Sequence, residues 1–296
     1  MPFEQVMAAT QGLNRSVEAL AAVAACLRLR AEGLHAPPEV DRLVHEAADA
    51  AGVGPLDDLS VEQCQMAIGA IRAFFRQAAD LMDAPDRPCG WITDDATLLQ
   101  SQGRASAMIA GLIASVAPSM GDLVDRLGRP GAAIADLGTG VGWLAIAFAR
   151  AHPEATVLGV DIAETPLELA RGNVVESGLT DRVSFRLGDA ADLPDQGAFD
   201  LVWVPGPFLS ATTLPAVLDG CTRALRPGGW VVLGRYAGPP DPLAAVLIDL
   251  RVVRSGGHPW RTEEAEALLS DHGFLDVVSP ERTWSGPIVF TVGRCP

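Results

Sequence analysis

Between Ala132 and Arg150 the chain reads A-A-I-A-D-L-G-T-G-V-G-W-L-A-I-A-F-A-R, and no other stretch restricts the fold as much. The short apolar run closing on Asp136 and Leu137 has the length of a buried parallel strand. Gly138, Gly140 and Gly142 follow at alternate positions. Trp143 to Arg150 is apolar and rich in good helix formers, which predicts a helix. Strand, glycine turn and helix make the first half of a nucleotide-binding βαβ unit. Glycine admits positive φ at such a turn and leaves no Cβ between backbone and ligand. The N–H groups at the start of the next helix then face the ligand's anionic part.

The companions of this turn extend the pattern. Val157 to Asp161 reads as a second strand ending in an acid, about 20 residues past the glycines, where such folds place a carboxylate on a ribose diol. Val183 to Leu187 is a third strand, followed by Gly188-Asp189-Ala190. Phe199 to Val204 is a fourth, and Leu225-Arg226-Pro227-Gly228-Gly229 turns into a fifth at Trp230 to Leu233.

Taken in order, D-L-G-T-G-V-G (Asp136–Gly142), the acid at Asp161, Gly188-Asp189-Ala190, the strand from Phe199 and L-R-P-G-G (Leu225–Gly229) resemble a class I S-adenosylmethionine (SAM)-dependent methyltransferase. The match is to the small-molecule type with an N-terminal helical module and covers roughly residues 92–296. It implies an α/β fold, a Rossmann-like, seven-stranded, mostly parallel sheet in the order 3-2-1-4-5-7-6 behind an N-terminal α-helical module. It implies SAM as cofactor, and methyl transfer to an oxygen, nitrogen or carbon of a small, fairly apolar metabolite. Position by position, Asp136 with Gly138, Thr139, Gly140 and Gly142 meets the methionine part, and Gln102 or Arg104 takes its carboxylate. Asp161 accepts both ribose hydroxyls, Ile162 lies against adenine, Asp189 accepts from the adenine amino group and the Ala190 N–H reaches a ring nitrogen. Val204 opens V-P-G-P-F, a loop at the carboxyl end of a strand, which borders the methyl group. That loop lacks the Asn-Pro-Pro-aromatic motif of enzymes that methylate nucleobase or glutamine amino groups. A dinucleotide dehydrogenase would carry Gly or Ala at the sixth position of its first turn; Trp143 is too bulky for the close helix–strand packing required there.

Two readings of other classes stay beside this one. The first is a SAM-binding protein of the same fold doing non-methylating, cyclase-like chemistry. The second is a non-catalytic regulatory subunit.

Composition removes several classes. The chain has 296 residues, 49% of them hydrophobic, and a formal net charge of −15. A nucleic-acid partner usually needs a basic face, so none is expected. All 22 basic residues are arginine. With no lysine there is neither a Schiff-base nucleophile nor a Walker A lysine. The five cysteines form no C-x-x-C pair and the five histidines are scattered, so no metal site is expected. No signal-like N-terminus and no charge-free apolar run of about 18 residues is present. A soluble, cytoplasmic protein with reduced cysteines and no membrane partner is the expectation.

The region before the sheet is helical in pattern. Val6, Leu13, Val17, Leu20, Val23 and Leu27 space a first helix from Pro2 to Arg30, which Gly33 ends. Pro37-Pro38 starts a second helix through about Ala51. Ser60-Val61-Glu62-Gln63 is a capping-box pattern opening a third, through about Asp83. Residues 1–90 are thus expected to be a cap or dimerisation module, giving a homodimer, and residues 91–296 the SAM-binding domain, with Ala84 to Gly90 as linker. A helix from Asp94 or Asp95 carries Leu98, Leu99, Met108, Ile109 and Leu112, and another runs from about Met120 to Leu127. Beyond the fifth strand, Pro239-Pro240 leads into a helix of about Pro242–Val253. Thr262 caps a further helix, and Phe274 to Thr283 and Pro287 to Val292 read as the last two strands.

For a base that removes the acceptor's proton, His258 is the candidate, on a loop after the fifth strand beside Trp260; the alternative is an ordinary exposed loop histidine. His152 and His272 end helices and read as structural. Arg235 and Tyr236 are candidates for orienting the substrate.

Overall fold

The computed structural model describes residues 2–91, 93–238 and 241–296. The chain divides into two units. One holds the residues up to Pro85 together with Gln100–Ala105, and the other holds Asp86–Leu99 and Ser106–Pro296.

In the first unit α1 spans Phe3–Glu32, α2 Pro38–Ala50 and α3 Val61–Asp83. Gly33 stops α1 in the left-handed conformation, φ 62°, as a helix C-cap requires. The capping box at Ser60 forms: its hydroxyl accepts from the Gln63 N–H at 3.2 Å, and the Gln63 side chain accepts from the Ser60 N–H at 2.8 Å. Val23, Cys26 and Leu27 of α1 meet Ala48 of α2 and Cys64, Ile68 and Ile71 of α3 in a small core.

The expected helix over 95–112 forms as two, α4 (Ala96–Ser106) and α5 (Met108–Val116). Asp95 caps α4, its Oδ1 accepting from the Thr97 and Leu98 N–H groups at 2.9 and 3.2 Å. Ala107 keeps helical backbone angles, and the break falls where the chain passes from one unit's core to the other's. The rest follows in sequence: α6 (Leu123–Leu127), β1 (Ala133–Leu137), α7 (Trp143–Ala151), β2 (Thr156–Asp161), α8 (Glu164–Glu176), β3 (Val183–Leu187) and β4 (Phe199–Pro205). Then come α9 (Leu214–Ala224), β5 (Leu225–Tyr236), α10 (Pro242–Arg254), α11 (Thr262–Asp271), β6 (Leu275–Val278) and β7 (Ile288–Arg294). The Pro239–Pro240 pair ahead of α10 lies outside the described residues.

Among the described residues the sheet has seven strands in the order β3-β2-β1-β4-β5-β7-β6. β1 to β5 pair in parallel, and β7 runs antiparallel to both β5 and β6. Alternate residues along each strand point to opposite faces. Ile134, Leu201, Trp203 and Val232 therefore pack on one side with α5, α6 and α7. Ala135, Leu137, Val202, Val204, Val231 and Leu233 pack on the other with α9 and α11. Burial on both faces is why these strands read as continuous apolar runs. No described helix is long and apolar enough to cross a membrane.

Two further details depart from the sequence expectation. The strand expected from Phe274 to Thr283 stops at Val278: the Ser279 N–H is taken by Glu266 Oε1 at 3.0 Å, and Pro280 has no N–H to give a ladder. Arg261, not Thr262, sits at the cap of α11, its N–H held by Glu264 Oε2 at 3.0 Å.

Trp203 is closely packed on its Gly234 side. Its ring meets Phe290 edge to face at 6.0 Å, and a Cβ on neighbouring Gly234 would lie 2.1 Å from it. Gly234→Ala is expected to cost about 1–3 kcal/mol of stability by overpacking, measured by urea unfolding; an unchanged midpoint would contradict this packing.

Candidate functional site

The turn between β1 and α7 is built from its own backbone. Gly138, Gly140 and Gly142 take φ values of 63°, 54° and 79°, a region that costs other residues about 1–2 kcal/mol. A Cβ on Gly142 would lie 2.6 Å from the Phe185 ring, whereas one on Gly140 would meet nothing within 4 Å. Gly142 is thus needed for packing under the turn, and Gly140 faces open space above it.

Side chains from three elements hold the turn in place. Asp161, at the end of β2, accepts from the Gly140 N–H through Oδ2 at 2.8 Å and from the Ala163 N–H through Oδ1 at 3.0 Å. Asn173 on α8, buried, donates to the Val141 carbonyl at 2.8 Å. Thr139 is buried and donates to Asp136 Oδ2 at 2.7 Å, while its N–H reaches the Val160 carbonyl at 3.0 Å. The anchoring by Asn173 and the Asp161–Gly140 bond are not part of the sequence reading. A polar amide inside the stretch A-R-G-N-V-V-E was the available signal for Asn173.

Asp136 carries the most unusual chemistry. It is 1% exposed, and its Oδ1 is buried without a hydrogen-bond partner. Burial pushes its carboxyl up to about 7; the Thr139 hydroxyl opposes the rise, the nearby Asp161 charge adds to it, and the Ala145 amide opposes it weakly. Burial also raises Asp161, against the pull of the Ala163, Gly140 and Ile162 amides. Two carboxylates thus lie beside bare backbone, a chemistry suited to hydroxyl donors and to a cationic group.

The remaining candidates fall as follows. Ile162, 73% exposed, stands just past Asp161. Asp189 is exposed and caps a short turn, its Oδ1 accepting from the Ala191 N–H at 2.9 Å, with Ala190 half-buried beside it. Val204 is fully buried in the core, side chain and backbone alike. Gln102 sits half-buried on the part of α4 that belongs to the first unit. Arg104, in the same stretch, donates to Gln65 Oε1 at 3.3 Å. Arg235 is not free to orient a substrate. It is buried, donates to Thr291 Oγ1 at 2.9 Å and to the Trp260 carbonyl at 3.2 Å, and serves the packing of the loop. His258 stacks edge to face on Trp260 at 4.5 Å. Among the described residues no group of three or more His, Cys, Asp or Glu could hold a metal ion.

Residues 134–229, from β1 into β5, match the family described as "Methyltransferase domain". That span carries the methyltransferase-domain pattern, in a sheet with the strand order of the class I methyltransferase fold. The Asp161–Gly140 cradle falls inside the matched span. The chain is similar to the 27-O-demethylrifamycin SV methyltransferase of Amycolatopsis mediterranei, 30% identical over 168 residues, which are 56% of this chain and 56% of that protein. It is also similar to the nocamycin O-methyltransferase of Saccharothrix syringae, 39% identical over 139 residues, covering 46% and 49% of the two chains. The matched segment thus spans about half the length of these relatives. Among solved structures, human N-acetylserotonin methyltransferase in complex with SAM superposes with a TM-score of 0.67 over 100% of this chain and 99% of that one, at 16% identity, a likeness of fold.

The buried Asp136 sets a pH dependence for the ligand-free domain. Its folded carboxyl titrates near 7 and its unfolded one near 3.9, so the folded state keeps a proton that the unfolded chain has lost. That contribution to stability is fully present below about pH 4 and is lost as pH rises through 7. Asp136→Asn is expected to unfold with about 2–4 kcal/mol more free energy than the parent at pH 8 and to match it near pH 4, read from paired denaturation curves. Parallel pH profiles for the two proteins would contradict the assignment.

Proposed function

We propose that this protein is a SAM-dependent methyltransferase acting on a small, fairly apolar metabolite. The observation that carries this is the pairing of the bare turn with Asp161 and the partnerless, buried Asp136 oxygen, inside a methyltransferase domain. The residues fit the cofactor. Asp161 is placed for the ribose diol, since each carboxylate oxygen keeps a lone pair beyond its amide bond. Gly138 to Gly142 and Asp136 are placed for the methionine end, where Asp136 opposes a cationic group. Ile162 offers an exposed apolar surface for adenine, and Asp189 and Ala190 flank its edge. Gln102 is assigned to the carboxylate.

When bound, SAM supplies a methyl group on a sulfonium that departs as a neutral thioether while the acceptor's oxygen, nitrogen or carbon forms the new bond and gives up a proton. The protein's part is to align the acceptor, which supplies much of the rate, and to take that proton. His258 is assigned as the base. Its loop is brought to the end of β4 by Gly257, where a Cβ would lie 2.2 Å from the Pro207 carbonyl oxygen. The relatives' printed activities on rifamycin- and nocamycin-type metabolites support a small acceptor, as the net charge of −15 supports one other than nucleic acid. Free thiols at all five cysteines support residence in the cytoplasm.

Incubation with methyl-labelled SAM and a cell extract should move label into a small product. Asp161→Ala should weaken SAM binding by about 100-fold or more by losing both turn and ribose contacts. His258→Asn should leave binding intact and slow transfer about 10²-fold or more. SAM binding with no transferred label would instead favour the non-methylating alternatives.

Residues 1–90 are assigned as a cap and dimerisation module serving the domain at 91–296. Phe3, Val6, Met7, Leu13 and Val17 are all exposed on α1 and share an arc of about 120° at helical spacing, a face that suits the same face of a second copy. Sedimentation should find a dimer that Leu13→Glu with Val17→Glu converts to a monomer; a monomeric parent would end this part of the proposal.

A further inference from the structure

The turn after β4 is the hub of a cluster of close contacts within the sheet-bearing unit. On one side, a Cβ on Gly138 of the cofactor turn would lie 2.9 Å from Pro205. Beneath it, a Cβ on Gly206 would lie 2.5 Å from the Gly234 carbonyl oxygen of β5. On a third side Gly257 closes on Pro207, as described. On the fourth, the Trp91 ring meets Phe208 edge to face, centroids 5.6 Å apart at 66°. Trp91 is far away in sequence, yet its approach is built. The Gly90 N–H donates to the Arg254 carbonyl at the end of α10 at 2.9 Å. Arg87 Nη1 donates to the Pro88 and Gly90 carbonyls at 2.9 and 3.1 Å. Gly256, with φ 88°, brings its backbone within 3.2 Å (Cβ position to Cα) of Gly90.

The chemistry of this hub is narrow. Val204 to Leu209 reads V-P-G-P-F-L, with no side chain able to ionise or form a hydrogen bond. An acceptor lying there can be oriented by shape and ring contacts but not by polar side chains of this loop. In an edge-to-face pair the edge-on ring keeps both its faces free of its partner. Trp91 and Phe208 are both half-buried, so part of each ring stays open.

We propose that Trp91 is a specificity-determining residue which, with Phe208, forms the wall on which a flat, conjugated acceptor stacks beside the methyl group. This rests on the methyltransferase reading above and narrows its substrate class. A saturated acceptor of equal size gains apolar burial at this wall but no stacking, which is the difference the site selects on.

The full chain is tested with methyl-labelled SAM and two probes, 2,3-dihydroxynaphthalene and cis-1,2-cyclohexanediol, with SAM binding followed separately by calorimetry. The flat diol should be labelled in preference to the saturated one. Trp91→Ala and Trp91→Leu should each raise its KM about tenfold or more, with kcat and the SAM dissociation constant within about twofold. Trp91→Phe should stay within about threefold of the parent. An unchanged KM in Trp91→Ala and Trp91→Leu, equal use of the two diols, or no labelled diol from a protein that binds SAM would each overturn the role of Trp91. A parent chain that binds no SAM would overturn the methyltransferase reading beneath it. Trp91→Leu and Trp91→Phe keep the comparison alive should the alanine variant fail to fold, because both retain bulk at that position.

Discussion

A single hydrogen bond, 2.8 Å from the Gly140 N–H to Asp161 Oδ2, ties the loop after β1 to the end of β2. Everything proposed for the site depends on it. It aligns three residues of positive φ without a side chain of their own to stabilise them, and it places a carboxylate at the rim of the space they leave. Asn173 from α8 and Thr139 from within the turn hold the other side. A backbone loop that would otherwise carry many conformations is thereby presented to a ligand in one, and less ordering remains to be done on binding.

Charge is arranged around that bond in an unusual way. Asp136 is buried, half satisfied, and neighbours a second acid. Without a ligand the pair is an unfavourable placement, eased by a proton near neutral pH. A cation beside Asp136 would lower its pKa by opposite-charge stabilisation. Structure that is costly when empty and relieved when filled is what a site selective for a positively charged cofactor would have. The acceptor side is the opposite in character: V-P-G-P-F-L is apolar, packed through glycines against β5 and the α10–α11 loop and through the Phe208 ring against Trp91.

Much of this was legible in the chain because the strands are buried on both faces. β1, β2, β4 and the Trp230–Leu233 part of β5 read as short apolar runs, and Asp136 and Asp161 close β1 and β2, where polarity abruptly returns; β3, V-S-F-R-L, is half exposed. The helices α8 and α9 receive no assignment from sequence. Gly172 lies inside the first and Gly220 inside the second, which lowers helix propensity in two short helices, while Pro166 and Pro215 sit in the first turns, where proline is tolerated. Long-range contacts were invisible for a different reason. Nothing in local spacing links Trp91 to Phe208, or the Arg235 side chain to the Trp260 carbonyl; such partners exist only once the sheet has closed. Arg235 looked like a substrate contact because it follows a strand, but its burial turned it to structural use.

The most direct test is a crystal structure of the protein soaked with S-adenosylhomocysteine. The account predicts both ribose hydroxyls within about 2.6–3.2 Å of the Asp161 oxygens, with the Gly140 N–H still bound to Oδ2 and the amino-acid end lying over the bare turn beside Asp136. A nucleoside bound elsewhere, or a turn that must release Asp161 to admit it, would contradict the account.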